Sequence, residues 1–344
     1  MSKYVDKSFL FGLVSGLVAV GSAYIVSRID WDQFRPEVPI DANEACPGVN
    51  SDKAGKSSSC EGCPNQTKCA SGEAQVADPA VAQVADRLKD VRRKILVLSG
   101  KGGVGKSTVS AQLTFGLASQ TEGTNVGLLD IDICGPSIPR MLGVTGREVH
   151  QSAQGWTPVY LNENISIMSV GFMLPEEDNA VIWRGPKKHA LIKQFLGDVC
   201  WGDLDYLIVD TPPGTSDEHM SIVSLLKDAG VDGAVLVTTP QEVSLQDVRK
   251  EISFCKKVGL PIIGLIENMS GFVCPSCSEC TDVFTASAGG GAEAMCLKMG
   301  INFLGRLPLS QSVTQAGDKG VSVVTNLPQL AEIVGKIRTH LDPK

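Results

Sequence analysis

The stretch "ILVLSGKGGVGKST", residues 95–108, decides how the rest of the chain is read. Its first five residues are apolar enough for a buried strand, and Gly100-x-x-x-x-Gly105-Lys106-Ser107 follows without a break. Glycines at that spacing let the backbone wrap so that its N–H groups face phosphate oxygens. The start of the following helix adds the positive end of its dipole. Lys106 then neutralises the terminal phosphates, and the Ser107 hydroxyl ligates Mg²⁺. The residues expected to cradle the nucleotide phosphates are therefore Gly100, Lys101, Gly102, Gly103, Val104, Gly105, Lys106, Ser107 and Thr108.

Short apolar runs continue downstream at 125–132, 165–170, 206–210, 233–239, 261–268 and 301–305. Helical candidates lie between them near 106–119, 187–199, 217–228, 243–258 and 290–299, with a last one near 328–341. Strand-helix alternation with unbroken apolar strands predicts an α/β fold, a doubly wound and mostly parallel sheet with helices on both faces. Ligands then sit beyond the strand C-termini. Asp130 and Asp132 close the second strand and Asp210 the fourth, so all three are expected to face the phosphate loop.

A formal net charge of −7 in 344 residues argues against a nucleic-acid partner, which would call for a basic face. Eleven cysteines form an odd and uneven set. That favours metal or cluster chemistry in a reducing compartment over a disulfide framework. Cys46, Cys60, Cys63 and Cys69 fall in a polar, Gly- and Ser-rich segment that cannot bury a core of its own. Four thiolates suffice for one cluster, and the single Cys-x-x-Cys hook is unlike the paired hooks of a zinc ribbon. Cys274 and Cys277 form a Cys-Pro-x-Cys turn, half of a four-ligand site that a second copy would complete. An intrachain redox pair is the competing reading, Cys280 is either a third ligand or a bystander, and Cys134 reads as a small buried filler.

Before this segment, Ser8–Val26 is 19 residues without a charge, about 28 Å as a helix and close to the hydrocarbon thickness of a bilayer. A membrane anchor is expected, against a signal peptide cleaved near Gly21-Ser22-Ala23 or a buried core helix. The division predicted is 1–29 anchor, 30–77 Cys-rich segment, 78–93 helical linker capped by Asp78 and Pro79, and 94–344 nucleotide domain.

The loop "GKGGVGKS" resembles the deviant phosphate loop of the Mrp, MinD, ParA and ArsA-like ATPases. With "DTPPGTSDEH", "LIENMSGF", "WRGPKKHA" and both cysteine motifs in order, residues 44–340 resemble the Mrp/NBP family of cytosolic iron–sulfur scaffolds, in its form with an N-terminal four-cysteine extension. The resemblance implies slow ATP hydrolysis with Lys101 reaching across a dimer, Asp132 positioning the attacking water and Asp210 holding Mg²⁺ through water. It gives Gly214 the γ-phosphate and Asn268 the adenine. It implies one [4Fe–4S] cluster per chain on Cys46, Cys60, Cys63 and Cys69, and a labile one bridging two chains through Cys274 and Cys277. The partners implied are a second copy or a shorter related scaffold in a heterotetramer, an electron donor, and cytosolic and nuclear apoprotein acceptors. Departing from the family, the apolar N-terminus predicts attachment to a membrane, such as a mitochondrial-type outer one, with the ATPase facing the cytosol. An ArsA-type tail-anchor targeting ATPase, a MinD/ParA-like positioning ATPase and a zinc-stabilised nucleotide-binding module are the alternatives. If the anchor reading holds, the full chain pellets with membranes in cell fractionation, and a chain lacking residues 1–28 stays in the supernatant.

Overall fold

The structure, a computed structural model, describes residues 42–43, 46–49, 51–72, 78–173, 185–274, 276–277, 279–284 and 290–342. The expected membrane span at 8–26 lies outside the described residues. Among the described residues no helix is long and apolar enough to cross a membrane. The chain divides into two compact units, Met1–Ala77 and Asp78–Lys344.

In the first unit a single 3-10 turn at Ser58–Cys60 and a short helix, α1 (Gln66–Ser71), are the regular elements among the described residues. The Asn43 side chain staples the segment by donating to the carbonyls of Ser59 and Glu61. Gly55, at φ +69°, lies so close to α1 that a Cβ there would stand 2.4 Å from the Ala70 nitrogen.

The second unit runs α2 (Pro79–Arg87), β1 (Val91–Leu98), α3 (Lys106–Ser119), β2 (Val126–Asp130), α4 (Ile138–Met141), β3 (His150–Ser152), β4 (Gly155–Thr157), β5 (Val159–Asn162) and β6 (Ile165–Ser169). It continues through α5 (Gly185–Gly197), β7 (Leu204–Asp210), α6 (Asp217–Leu225), β8 (Gly233–Thr238), α7 (Glu242–Val258), β9 (Ile262–Val273) and β10 (Cys280–Thr281). It ends with α8 (Gly291–Met299), β11 (Phe303–Leu309), α9 (Gln311–Lys319) and α10 (Pro328–Leu341). Strands β9-β8-β1-β7-β2-β6 form a parallel sheet, which β11 extends in parallel on β9. Short antiparallel strands finish it, β5 on β6 and β10 on β9. This is the expected doubly wound, mostly parallel sheet with two antiparallel additions.

Both faces are covered, which is why the strands read as continuous apolar runs. Along β1, Ile95 and Val97 enter one core with α3 and α10, while Leu96 and Leu98 enter the other with α2, α5, α6, α7 and α8. Asp78 caps α2 through the Ala80 N–H, and Pro79 opens it. Residues 78–93, set apart in sequence as a linker, bury Val84, Leu88 and Val91 in that second core. Strand β1 starts four residues ahead of its apolar run because ion pairs hold its charged beginning. Arg93 bonds Asp232 and Asp342 at 2.8 Å each, and Asp232 also accepts the Lys94 N–H.

One core residue resists this scheme. Glu251, on α7, is fully buried, and neither carboxylate oxygen finds a hydrogen-bond partner among the described residues. Burial lifts its carboxyl from an ordinary 4.5 to about 8. The folded chain therefore keeps a proton that the unfolded chain releases across that window, so this contribution to stability is full below pH 4.5 and is lost as pH rises through 8. Glu251→Gln is expected to flatten the pH dependence of the urea midpoint over that range, leaving the midpoint at low pH nearly unchanged.

Candidate functional site

The phosphate loop links β1 to α3, and its glycines meet hard constraints. A Cβ at Gly100 would lie 2.5 Å from the Asp247 carbonyl carbon. Gly105 stands at φ +84°, and a Cβ there would collide with the Asn268 side-chain nitrogen at 2.2 Å. Gly105 gives α3 no side-chain cap, so the first-turn N–H groups are free to face an anion.

Around the loop the sheet delivers three acids. Asp210 ends β7, is fully buried, and accepts from Ser107 Oγ and Ser110 Oγ at 2.6 Å each. Lys106 Nζ lies 2.8 Å from Asp210 Oδ1 and 3.9 Å from Asp132 Oδ2. Asp130 is the strand neighbour of Asp210, equally buried, and accepts from Ser169 Oγ at 2.8 Å. Burial first, and the Asp210 charge second, push its carboxyl to about 7. Asp130 is thus a braced structural acid. Asp132 lies two residues past the end of β2 and is more open, its carboxyl raised by burial and pulled back chiefly by Lys106.

Gly214, at φ +88°, donates its N–H to the Ser99 carbonyl at 2.7 Å. The Asn268 amide donates to the Val104 carbonyl at 2.9 Å, so it braces the loop from β9. Lys101 is exposed, and its ammonium makes no ion pair among the described residues. Next to Thr108 and Asn268 opens a cleft walled by Met269, Pro308 and Leu309, with Arg140 and Asp318 at its edges. Met269 stands at φ 56°, a strained position for a residue other than glycine. Sequence reading missed this wall because it ended the last strand at 305. The strand-end rule, applied to the true end of β11 at Leu309, points straight at it.

The thiols form two groups. Cys274 directly follows β9, its N–H bonds the Glu279 carbonyl, and β10 folds back so that Cys280 faces Val273. The backbone N–H groups of Cys277 and Ser276, with the Cys277 thiol, hold the Cys274 thiol below its ordinary value. Cys280 packs its sulfur against Gly271, 3.0 Å from where a Cβ would stand. In the first unit Cys46, Cys60, Cys63 and Cys69 line one pocket. Partial burial, then the facing thiols of Cys46, Cys63 and Cys60, raise the Cys69 thiol. Among the described residues no three ligand side chains stand close enough for one metal ion. Cys134 is no buried filler: it is exposed, and Lys188 Nζ lies 3.2 Å from its sulfur.

A family model described as NUBPL iron-transfer P-loop NTPase (ParA) matches residues 90–341. The chain belongs to this family. A nucleotide-binding protein from Archaeoglobus fulgidus, in complex with ADP and with Co, is 37% identical over 70% of this chain and 91% of its own, with a TM-score of 0.59. The cell division ATPase MinD of Pyrococcus furiosus is 22% identical over 72% of this chain and 98% of its own, with a TM-score of 0.51, and shows the shared fold. Family membership and the loop geometry together make this a nucleotide-hydrolysing chain. Removing the Lys106 ammonium leaves Asp210 uncompensated and strips the phosphates of their cation. Lys106→Ala is expected to lower single-turnover ATP hydrolysis by roughly 10²–10³-fold, measured by phosphate release.

Proposed function

We propose that this chain is an ATP-dependent scaffold that assembles [4Fe–4S] clusters and passes them to apoproteins. The observation that carries this reading is the join between engine and thiols. Strand β9 touches the phosphate loop at Asn268 and ends five residues later at Val273, directly before Cys274, the start of the two-thiol hairpin.

Lys106 and the loop amides bind the phosphates, Ser107 and Asp210 would hold Mg²⁺, which supplies charge neutralisation at the phosphates, and Asp132 orients the attacking water. Gly214 turns its N–H from Ser99 to the γ-phosphate. The apolar wall of Met269, Pro308 and Leu309 suits a flat base. Lys101, exposed and without an ion pair among the described residues, would serve a partner's nucleotide. Cys274 and Cys277 offer two thiolates per chain, so a four-thiolate cargo site needs a second copy or the shorter relative. Nucleotide affects loading only by binding one dimer arrangement more tightly than another.

Cys46, Cys60, Cys63 and Cys69 would hold a resident [4Fe–4S] group, which supplies an electron-accepting centre when bound. The donor set supports it: all four cysteines line one pocket, and four thiolates are the ligands a four-iron cluster takes. An electron donor and cytosolic or nuclear acceptors are the partners this implies, with the membrane engaged through residues 8–26.

Anaerobic reconstitution with iron and sulfide tests the reading. The expected result is iron uptake with visible absorbance, in a stable part and a chelator-sensitive part. A Cys274→Ser/Cys277→Ser double variant is expected to lose only the chelator-sensitive part. Zinc uptake without iron, or a labile part that survives the double variant, would overturn it.

A further inference from the structure

The run "GPKKHA" at the start of α5 places one basic side chain between two loops of the nucleotide site. Lys188 Nζ lies 2.8 Å from Glu218 Oε1 and 3.2 Å from Cys134 Sγ. Cys134 comes two residues after Asp132, and the Gly135 N–H bonds the Asp132 carbonyl at 3.2 Å, closing a turn with Cys134 inside it. Whatever fixes Cys134 therefore also constrains the turn that carries the Asp132 carboxylate. Glu218 sits in the first turn of α6, directly after the Gly214 segment. Burial alone would raise its carboxyl, but hydrogen bonds led by Lys188 and Ser216 hold it at about 2, a locked anion.

The pair is about four-fifths shielded on both sides, where a charge-assisted bond is stronger than at the open surface. Docking of α5 does not depend on it. Ile192, Phe195 and Leu196 anchor the helix in the core, His189 Nδ1 bonds Ser221 Oγ at 2.9 Å, and Lys193 pairs with Asp78. The contact to Cys134 is what these other ties lack.

We propose that Lys188 is a positioning residue for nucleotide hydrolysis, tying the Asp132 loop to the start of α6 so that both flanks of the γ-phosphate keep one geometry. Small misplacements of a water-orienting group cost rate steeply while leaving ground-state binding intact. The inference rests on the role given to Asp132 and is independent of the iron chemistry.

The test is ATP hydrolysis by the full chain. Lys188→Met is expected to lower kcat by about tenfold with the KM for ATP within about twofold, and Lys188→Arg to recover most of the loss. Lys193→Met, which cuts a tie of the same helix without touching either loop, is expected to leave kcat unchanged. Glu218→Gln should lose as much as Lys188→Met, and the double variant no more than either single one. Equal losses in Lys188→Met and Lys193→Met, or additive losses in the double variant, overturn the proposal. If Asp132→Asn abolishes hydrolysis while Lys188→Met does nothing, the positioning role alone fails. If Asp132→Asn is silent, the assignment of Asp132 is what fails.

Discussion

The nucleotide unit is organised around a carboxylate that has no access to water. Asp210 ends the strand beside β1, and its strand neighbour on the other side is a second buried acid, Asp130. Two such groups side by side are costly unless cations and donors answer them. The answer comes from one turn of helix: Lys106, Ser107 and Ser110 all reach Asp210. That demand fixes α3 over the sheet, fixes the loop before it, and leaves Asp130 holding its proton near neutrality. The residues that make the fold tolerable are the ones proposed to handle phosphate and metal.

Much of this was legible in the sequence because phosphate loops and buried strands impose strict local rules. Helices α3 and α10 begin and end where the pattern placed them, and the seven core strands fall on the apolar runs. What escaped was decided by tertiary contacts. The charged start of β1 reads as polar until Asp232 and Asp342 supply partners from far along the chain. The β3–β4 hairpin is mostly exposed and carries no apolar run, and α9 buries little beyond Ala316. Cys134 looked like a core filler because it follows apolar residues, but the chain has already left the strand at Asp130. Asn268 was expected at the end of its strand, while its grip on the Val104 carbonyl was not, since nothing in sequence measures the gap under Gly105.

The thiols divide along the same line between local and assembled structure. Cys60 and Cys63 sit on one tight turn and Cys69 on a short helix, so their convergence follows from near neighbours. Cys274 and Cys277 depend on a strand inside the large sheet for their position. The proposed resident group falls on the first arrangement and the proposed cargo on the second.

Strand β9 outruns its neighbour. Its pairing with β8 stops at Glu267, and from Asn268 to Val273 only β11 and the short β10 accompany it. In mechanical terms the outer six residues are a cantilever of roughly 20 Å, clamped at the nucleotide loop and carrying the hairpin at its tip. A beam of this kind converts a small rotation at its root into a larger swing at its end. Met269, at φ 56° and the only residue other than glycine with positive φ among the described residues, sits directly outside the clamp, at the root of this beam.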